Sequence, residues 1–199
     1  DIKDDVVSLF EGVEDIPRAS IEVALDWQWG SFESYLHRIE QQSYTINLAV
    51  NATHAPIRMI AMGERAFDGS EANCEDIDQM RAMLGEALDA GAVAFSTDRI
   101  GLHQMGDGRQ VPDFHASRGE VLALAEVVAA RSGRPIQFAS DYGMIGTEAD
   151  TLRELSILRE VAGLGVPVYT PLQQYPCQGG WRRLANDITV MTDNGANIV

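Results

Sequence analysis

Short apolar runs separated by amphipathic stretches constrain the fold of this chain more than any other feature of its sequence. Each run is too short for a helix and nearly continuous in apolar character, as in a strand buried on both faces of a parallel sheet. The runs span residues 45–50, 92–96, 135–139 and 166–172. Residues 196–199 resemble the start of a further strand. The pattern therefore predicts a sheet of parallel strands.

Helix signals fill the intervals between these runs. Apolar residues recur at every third or fourth position, and helix-capping residues precede them. Asn73 is a predicted N-cap, and the pairs Ser117 with Glu120 and Thr147 with Asp150 predict capping boxes. The predicted helices span residues 75–90, 118–131, 148–161 and 181 to about 193.

Strands that alternate with helices imply right-handed crossovers, which leaves a doubly wound sheet or a barrel as the architecture. A nucleotide-binding doubly wound sheet would carry GxGxxG or GxxxxGK(S/T) after a strand. Gly101, Gly106 and Gly108 fit neither spacing. By elimination we predict an α/β fold of the (β/α)8 TIM barrel type.

Charge and cysteine content exclude several classes of function. The chain carries 30 acidic and 15 basic residues and a net charge of −15, so a nucleic acid would meet mostly repulsion. Cys74 and Cys177 have neither CxxC nor CxxH spacing, which argues against a zinc ribbon or a redox pair and favours a cytoplasmic setting. We expect no membrane span, because no apolar run approaches roughly 18 residues, and no signal peptide.

In either α/β architecture, ligands bind in the loops that follow the strands. Those predicted loops are residues 51–61, 97–116, 140–146 and 173–180. Loop 97–116 is long, and long loops are usually functional or mobile. The loops contain most of the polar side chains suited to chemistry: His54, Arg58, Asp98, Arg99, His103, Arg109, His115 and Asp141.

Three of these residues have both a functional and a structural interpretation. His54 could bind a substrate carboxylate or a metal, or it could be a neutral imidazole bonded within the protein. Arg58 suits a bidentate carboxylate clamp, or an internal ion pair. Asp141 is placed for a general base or a ligand, although Asp also starts helices. Trp27 and Trp29, near Phe32, could line a site, but we expect a core cluster.

Several separated motifs together resemble the D-aminoacylases, or N-acyl-D-amino-acid deacylases, of the amidohydrolase superfamily. Their order along the chain makes the resemblance more specific than any single motif. They are EGVEDIP (11–17), WQWGSFESYL (27–36), HAPIRM (54–59) with Met62-Gly63, ALDAGA (87–92) with FST (95–97), and Leu102-His103 with Asp107-Gly108-Arg109.

The resemblance implies a zinc-dependent (β/α)8 barrel, with a small β-sandwich, that hydrolyses the amide of N-acyl-D-amino acids. In such enzymes zinc polarises the acyl carbonyl and acidifies a bound water, and an aspartate moves the proton. The family's HxH pair and bridging cysteine would precede this segment, and its catalytic aspartate would follow. The predicted substrate-binding residues are His54, Arg58, Ser96 and His103, and Asp141 is the candidate for catalysis.

The chain departs from the family where two further metal-binding histidines are expected. Those positions correspond here to Ala139 or Ser140 and to Leu172, none of which is a metal ligand. Gln173 and Gln174 are nearby, but amides are poor zinc ligands. The resemblance therefore indicates a divergent branch, and no metal ligand is assigned.

The resemblance implies an amide-bond hydrolase that acts on a small molecule, with Zn²⁺ as the cofactor. One alternative is a non-catalytic or ligand-binding barrel, and another is a cyclic-amide hydrolase of the dihydropyrimidinase or hydantoinase type. A barrel needs about 250 residues, and the chain starts at Asp1 without Met. We therefore expect residues 1–199 to be the central portion of one barrel domain, truncated at both ends and inactive alone. The oligomeric state is not predicted.

Overall fold

A four-stranded parallel sheet forms the centre of the molecule, in a computed structural model that describes residues 2–25, 27–131, 133–142, 147–172 and 180–199. The strands follow one another in chain order, without a reversal. They are β1 (Ala52–Thr53), β2 (Phe95–Arg99), β3 (Ile136–Ser140) and β4 (Val168–Tyr169). A parallel bridge from Val168 to Ile198 continues that order past β4.

Helices precede the sheet and connect its strands. The order matches the alternation that the sequence predicts. The helices are α1 (Ile2–Val13), α2 (Arg18–Ala24), α3 (Phe32–Glu40), α4 (His54–Met62), α5 (Cys74–Ala90), α6 (Arg118–Ala129), α7 (Glu148–Gly163) and α8 (Gly180–Asp193), with 3-10 turns at Gly63–Ala66 and Pro112–His115.

Three of the four predicted strands overlap β2, β3 and β4, and the first does not match an observed strand. Residues 45–50 are not a strand, and Ile46 in that run is 70% exposed, so its apolar character does not mark pairing. Strand β2 extends to Thr97, Asp98 and Arg99, beyond the predicted 92–96. Its polar end can belong to a buried strand because both polar side chains have buried partners below the sheet. Thr97 bonds to the His54 imidazole, and Arg99 bonds to the Glu154 carboxylate.

Two local predictions near the strand ends are wrong. Residues 54–61 are not a loop but most of helix α4, whose Ile57, Met59 and Met62 side chains are buried in the core. The second is the capping box of α6. The Ser117 hydroxyl accepts the Glu120 N–H, but the Glu120 carboxylate turns inward and does not cap the helix. The capping boxes at Asn73 and Thr147 are present.

One face of the sheet carries the apolar core, and the other face is open. Phe95, Phe138 and Val168 pack with side chains of helices α4 to α8 in one cluster. The strand residues between them form a row across the opposite face, in the register Thr53, Ser96, Gln137, Tyr169. Three members of that row are exposed and Ser96 is half-buried. A doubly wound sheet has helices on both faces, so this parallel α/β sheet is compatible instead with part of a barrel.

The aromatic residues near α3 form a cluster of half-buried rings. Trp27 and Trp29 lie with ring centroids 5.6 Å apart, and Tyr35 lies 5.3 Å from Trp29. Phe32 contacts the apolar core, as the sequence predicts for a structural cluster. Among the described residues, no helix is both long and apolar enough to cross a membrane.

Candidate functional site

Alternation along β2 divides its polar residues between the two faces of the sheet. Thr97 and Arg99 point toward the helices and are buried, whereas Ser96 and Asp98 point the other way and are half-buried. The carboxyl ends of β2 and β3 also bring Asp98 and Asp141 to the same edge. This edge is where α/β proteins bind their ligands, so it is the candidate site.

A buried polar network lies beneath this edge, centred on Glu120 of α6. The carboxylate oxygen Oε1 accepts from His54 Nε2 at 2.9 Å and from Arg58 Nε at 2.9 Å. His54 Nδ1 lies 2.9 Å from the Thr97 hydroxyl, and the other two Arg58 nitrogens donate to the carbonyls of Ala66 and Ser70. His54, Arg58 and Glu120 have no exposed surface.

The charges in this network oppose the effect of burial on the pKa of Glu120. Burial alone would raise the pKa of Glu120, but hydrogen bonds and charge from His54 and Arg58 lower it below its usual value. The second oxygen, Oε2, has no hydrogen-bond partner among the described residues. Glu120 is therefore an ionised carboxylate that joins α4, α6 and β2.

A second network joins Arg99 of β2 to Glu154 of α7. Arg99 Nε and Nη2 donate to the two carboxylate oxygens at 2.8 and 2.9 Å, and Nη1 donates to the Ala116 carbonyl at 2.7 Å. The Ser140 hydroxyl donates to the same carboxylate at 2.7 Å. Burial would raise the pKa of Glu154, but the bonds and charge of Arg99 lower it. The network fixes the ends of β2 and β3 relative to α7.

On the open side of the same edge, Asp98 holds His103. Asp98 Oδ2 lies 2.5 Å from His103 Nδ1, and Asp98 Oδ1 accepts the Ile100 N–H at 3.0 Å. An ionised carboxylate can only accept, so this contact places the proton on Nδ1 and leaves Nε2 for another partner. The His103 side chain is 36% exposed and can reach a ligand.

Two further aspartates hold the backbone around this pair. Asp113 Oδ2 accepts the Asp98 N–H at 2.6 Å, and Asp141 Oδ2 accepts the Gly101 N–H at 2.9 Å. Burial raises the pKa of Asp113 to about 6, and the nearby Asp98 charge also raises it. Asp113 Oδ1 has no hydrogen-bond partner in the described part of the chain.

The raised pKa of Asp113 predicts a pH-dependent stability. Because the native carboxyl binds its proton more tightly than the unfolded one, its stabilising contribution is present below pH 4 and is lost as the pH rises through about 6. The loss amounts to about 3 kcal/mol. Asp113→Asn keeps an acceptor for the Asp98 N–H but cannot ionise.

We therefore expect Asp113→Asn to match the parent protein near pH 4 and to be more stable than it at pH 7, in urea unfolding of the whole protein. The exposed Asp78→Asn is the control, and it should follow the parent at both pH values. An Asp113→Asn variant that is less stable than the parent at pH 7 would show that the carboxyl is ionised and needed.

The described residues do not form a metal site. No group of three or more His, Cys, Asp or Glu side chains in the described ranges could hold a metal ion. At the positions where the family has histidines, Ala139 has no ligand atom, the Ser140 hydroxyl is bonded to Glu154, and Leu172 is 52% exposed. Gln173, Gln174 and Cys177 lie outside the described residues.

The structure brings some of the predicted site residues together and keeps others apart. His54 and Arg58 meet at Glu120 in the interior, as in the structural interpretation of each, and their nitrogens contact protein atoms. Ser96 lies on the opposite face of β2, and His103 and Asp141 lie at the edge above it. Substrate contact by these residues stays a prediction.

Glu120, Glu154 and Asp113 were not identified from the sequence. The sequence does contain a signal for Glu120 and Glu154. Glu120 lies four positions before Leu124, and Glu154 lies four before Leu158, so each occupies the apolar stripe of its helix. A charge on such a stripe needs a buried partner. Asp113 follows a proline in a loop and has no comparable signal.

Comparison with known proteins finds similarity to a deacylase and to D-aminoacylase structures. No family model matches the chain. Over 97 residues it is 36% identical to an N-acyl-D-glutamate deacylase from Alcaligenes xylosoxydans xylosoxydans. A D-aminoacylase crystal structure superimposes with a TM-score of 0.61 at 22% identity, over 84% of this chain. The predicted resemblance to the D-aminoacylases is confirmed. A D-aminoacylase mutant in complex with copper chloride superimposes with a TM-score of 0.62, also at 22% identity and over 84% of this chain.

The chain spans only part of the length of these relatives. The matched region is 49% of this chain and 17% of the deacylase, and the superpositions cover 32% of each D-aminoacylase. A third D-aminoacylase structure, at 23% identity and a TM-score of 0.60, is described by its binuclear metal center. The superposition, at this low identity, shows that the fold is shared.

Proposed function

We propose that the protein carrying this chain hydrolyses amide bonds, with N-acyl-D-amino acids or related small amides as substrates. The observation that carries the proposal is the 36% identity to an N-acyl-D-glutamate deacylase over 97 residues. The D-aminoacylase fold of the structure supports it independently, over 84% of the chain. The proposal names the bond and the substrate class, and it leaves the acyl group open.

We propose further that residues 1–199 are part of a single (β/α)8 barrel. The unreversed order of four parallel strands and the helices on one face support this architecture. The exposed row Thr53, Gln137 and Tyr169 would then face the barrel interior. Ser96 belongs to the same row, so it would lie inside the barrel below the substrate.

In this proposal His103 and Ser96 contact the substrate. Asp98 orients the His103 ring through Nδ1, and the other ring nitrogen, Nε2, binds a polar group of the amide or of the substrate carboxylate. Asp141 remains the candidate base at the end of β3, where it accepts the Gly101 N–H. His54 and Arg58 act as positioning residues, since their nitrogens bond to Glu120 and to backbone carbonyls below the edge.

We propose a divalent metal, zinc by the family resemblance, as the cofactor of the whole protein. The copper complex and the binuclear centre of the D-aminoacylase structures support metal use. No group of three or more candidate ligands occurs among the described residues, so at least part of the ligand set would lie elsewhere, and no catalytic step of this chain is assigned to the metal. A cytoplasmic setting and the absence of nucleic-acid and membrane partners stay predictions.

Turnover by the whole protein tests the function. N-acetyl-D-amino acids, their L isomers and hydantoin-type rings are assayed in parallel, together with zinc analysis of the purified protein. We expect release of the free D-amino acid and stoichiometric zinc. Turnover of the hydantoin-type rings alone would show that the substrate is a cyclic amide and not a linear one. No turnover and no stoichiometric zinc, even after zinc is added, would contradict hydrolysis and support a ligand-binding barrel.

A further inference from the structure

Helix α1 makes an unusually close contact with the loop that carries His103. A Cβ atom at Gly12 would lie 2.0 Å from the Gln104 carbonyl oxygen, 2.4 Å from the Met105 carbonyl carbon and 2.6 Å from the Gly106 nitrogen. These neighbours are backbone atoms, which cannot move aside as a flexible side chain would. Only glycine at position 12 permits this approach.

The loop contributes two hydrogen bonds to the contact, and the Glu11 side chain lies against Gly106. A Cβ atom at Gly106 would lie 2.6 Å from the Glu11 carboxylate. The Gly106 N–H donates to the Ser8 carbonyl at 2.7 Å, and the Asp107 N–H donates to the Ser8 hydroxyl at 3.3 Å. Ser8 is buried by the contact. Helix and loop therefore meet backbone to backbone.

Arg109 reinforces the contact from the other side of the loop tip, which is formed by residues 106–108. Its guanidinium donates to Asp107 Oδ2 and to Asp5 Oδ1 of α1, the latter at 2.6 Å, and it lies 4.0 Å from the centre of the Phe67 ring. The bond to Asp107, with that to Asp5, raises the pKa of Arg109 further above its usual value. Three separate segments of the chain thus meet at one side chain.

The tip is connected to His103 by bonds within the loop. The Met105 N–H donates to the Arg109 carbonyl at 2.8 Å, and residues 104 and 110 form an antiparallel bridge. The Gln110 side-chain amide donates to the His103 carbonyl at 2.9 Å. Met105 and Val111 are buried and anchor the hairpin. A displacement of the tip would therefore move His103 relative to Asp98.

We propose that α1 is a positioning element for the site: by docking on the tip of hairpin 104–110, it fixes the His103 ring against Asp98. The inference rests on the proposed function only for its effect on activity. The placement of the ring is a structural property of the loop, and it can be measured whether or not an amide is hydrolysed. The positioning residues are Gly12, Asp5 and Arg109.

The test compares Gly12→Ala with Gly119→Ala in the whole protein. Gly119 also lies in a helix, but its added Cβ would meet only the Ser117 hydroxyl at 3.8 Å. The readout is the pair of ring ¹⁵N shifts of His103, assigned by their loss in His103→Gln. We expect the shifts to move in Gly12→Ala and kcat/KM to fall about tenfold or more, and both to stay unchanged in Gly119→Ala.

A milder pair of variants decides the question if Gly12→Ala does not fold. Asp5→Asn weakens the Arg109 bond and should move the His103 shifts in the same direction by less. Asp4→Asn, whose side chain is 75% exposed, should not move them. His103 shifts that are unmoved in Gly12→Ala, or in Asp5→Asn if the former is unfolded, would overturn the inference. Absence of amide turnover in the parent would affect only the proposed function.

Discussion

Replacing Glu120 with glutamine is expected to lower the free energy of unfolding by about 3 to 5 kcal/mol. Glu120 is the carboxylate that both His54 and Arg58 contact in an interior without exposed surface. The variant leaves the Arg58 cation buried beside a neutral amide, and the amide nitrogen would face a donor. Urea unfolding of the whole protein at pH 7 measures the loss.

Glu126→Gln is the matched control for this prediction. Glu126 lies on the same helix, but its side chain is 56% exposed and its partner Arg81 is 3.7 Å away. Exposed pairs contribute little to stability, so this variant should unfold close to the parent. Equal effects of the two substitutions would show that the interior network does not stabilise the fold.

Glu154→Gln is expected to cost about 3 kcal/mol, because it leaves Arg99 buried without its bidentate carboxylate. The pKa of Glu154 is lowered in the native state, so the stabilisation is present at neutral pH and is lost as the pH falls through that pKa. The difference between variant and parent should therefore shrink in acid. Unfolding of the variant and the parent, measured at pH 7 and near pH 3, tests the direction of this pH dependence.

Glu160→Gln serves as the control on the same helix. Glu160 also forms a bidentate pair, with Arg118, but the Arg118 side chain is 58% exposed. Solvent screens that pair, so a much smaller loss is expected. A penalty for Glu154→Gln that does not depend on pH would mean that packing, and not the ion pair, explains it.

The sequence predicts the starts of capped helices better than the limits of strands, for a physical reason. Caps such as Asn73 and Thr147 act within three residues, so the pattern contains all the information that starts the helix. Strand limits depend on which backbone lies alongside. Ile46 is apolar but exposed, whereas Arg99 is charged but lies in a strand because Glu154 is beneath it.

Prediction of the site has the same limit, because the local sequence does not specify contacts between residues that are distant in the chain. The placement of His103 at the carboxyl edge of the sheet could be predicted, because it lies in a long loop that directly follows a strand. Its partner Asp98 is nearby in sequence. The position of His54 could not be predicted, because its partner Glu120 is 66 residues away and the local pattern at Glu120 resembles a capping box. Long-range partners of this kind are chosen by packing.

Amide hydrolysis at the carboxyl edge of the sheet is tested most directly by kcat/KM for N-acetyl-D-glutamate in the parent protein, His103→Gln and His37→Gln. His37 lies in α3, and its side chain is exposed. We expect turnover by the parent, a loss of about tenfold or more in His103→Gln and no loss in His37→Gln. If the parent turns over the substrate and His103→Gln does so equally well, the location of the site is contradicted. If the parent turns over neither this nor any other N-acyl amino acid, the proposed hydrolysis is contradicted.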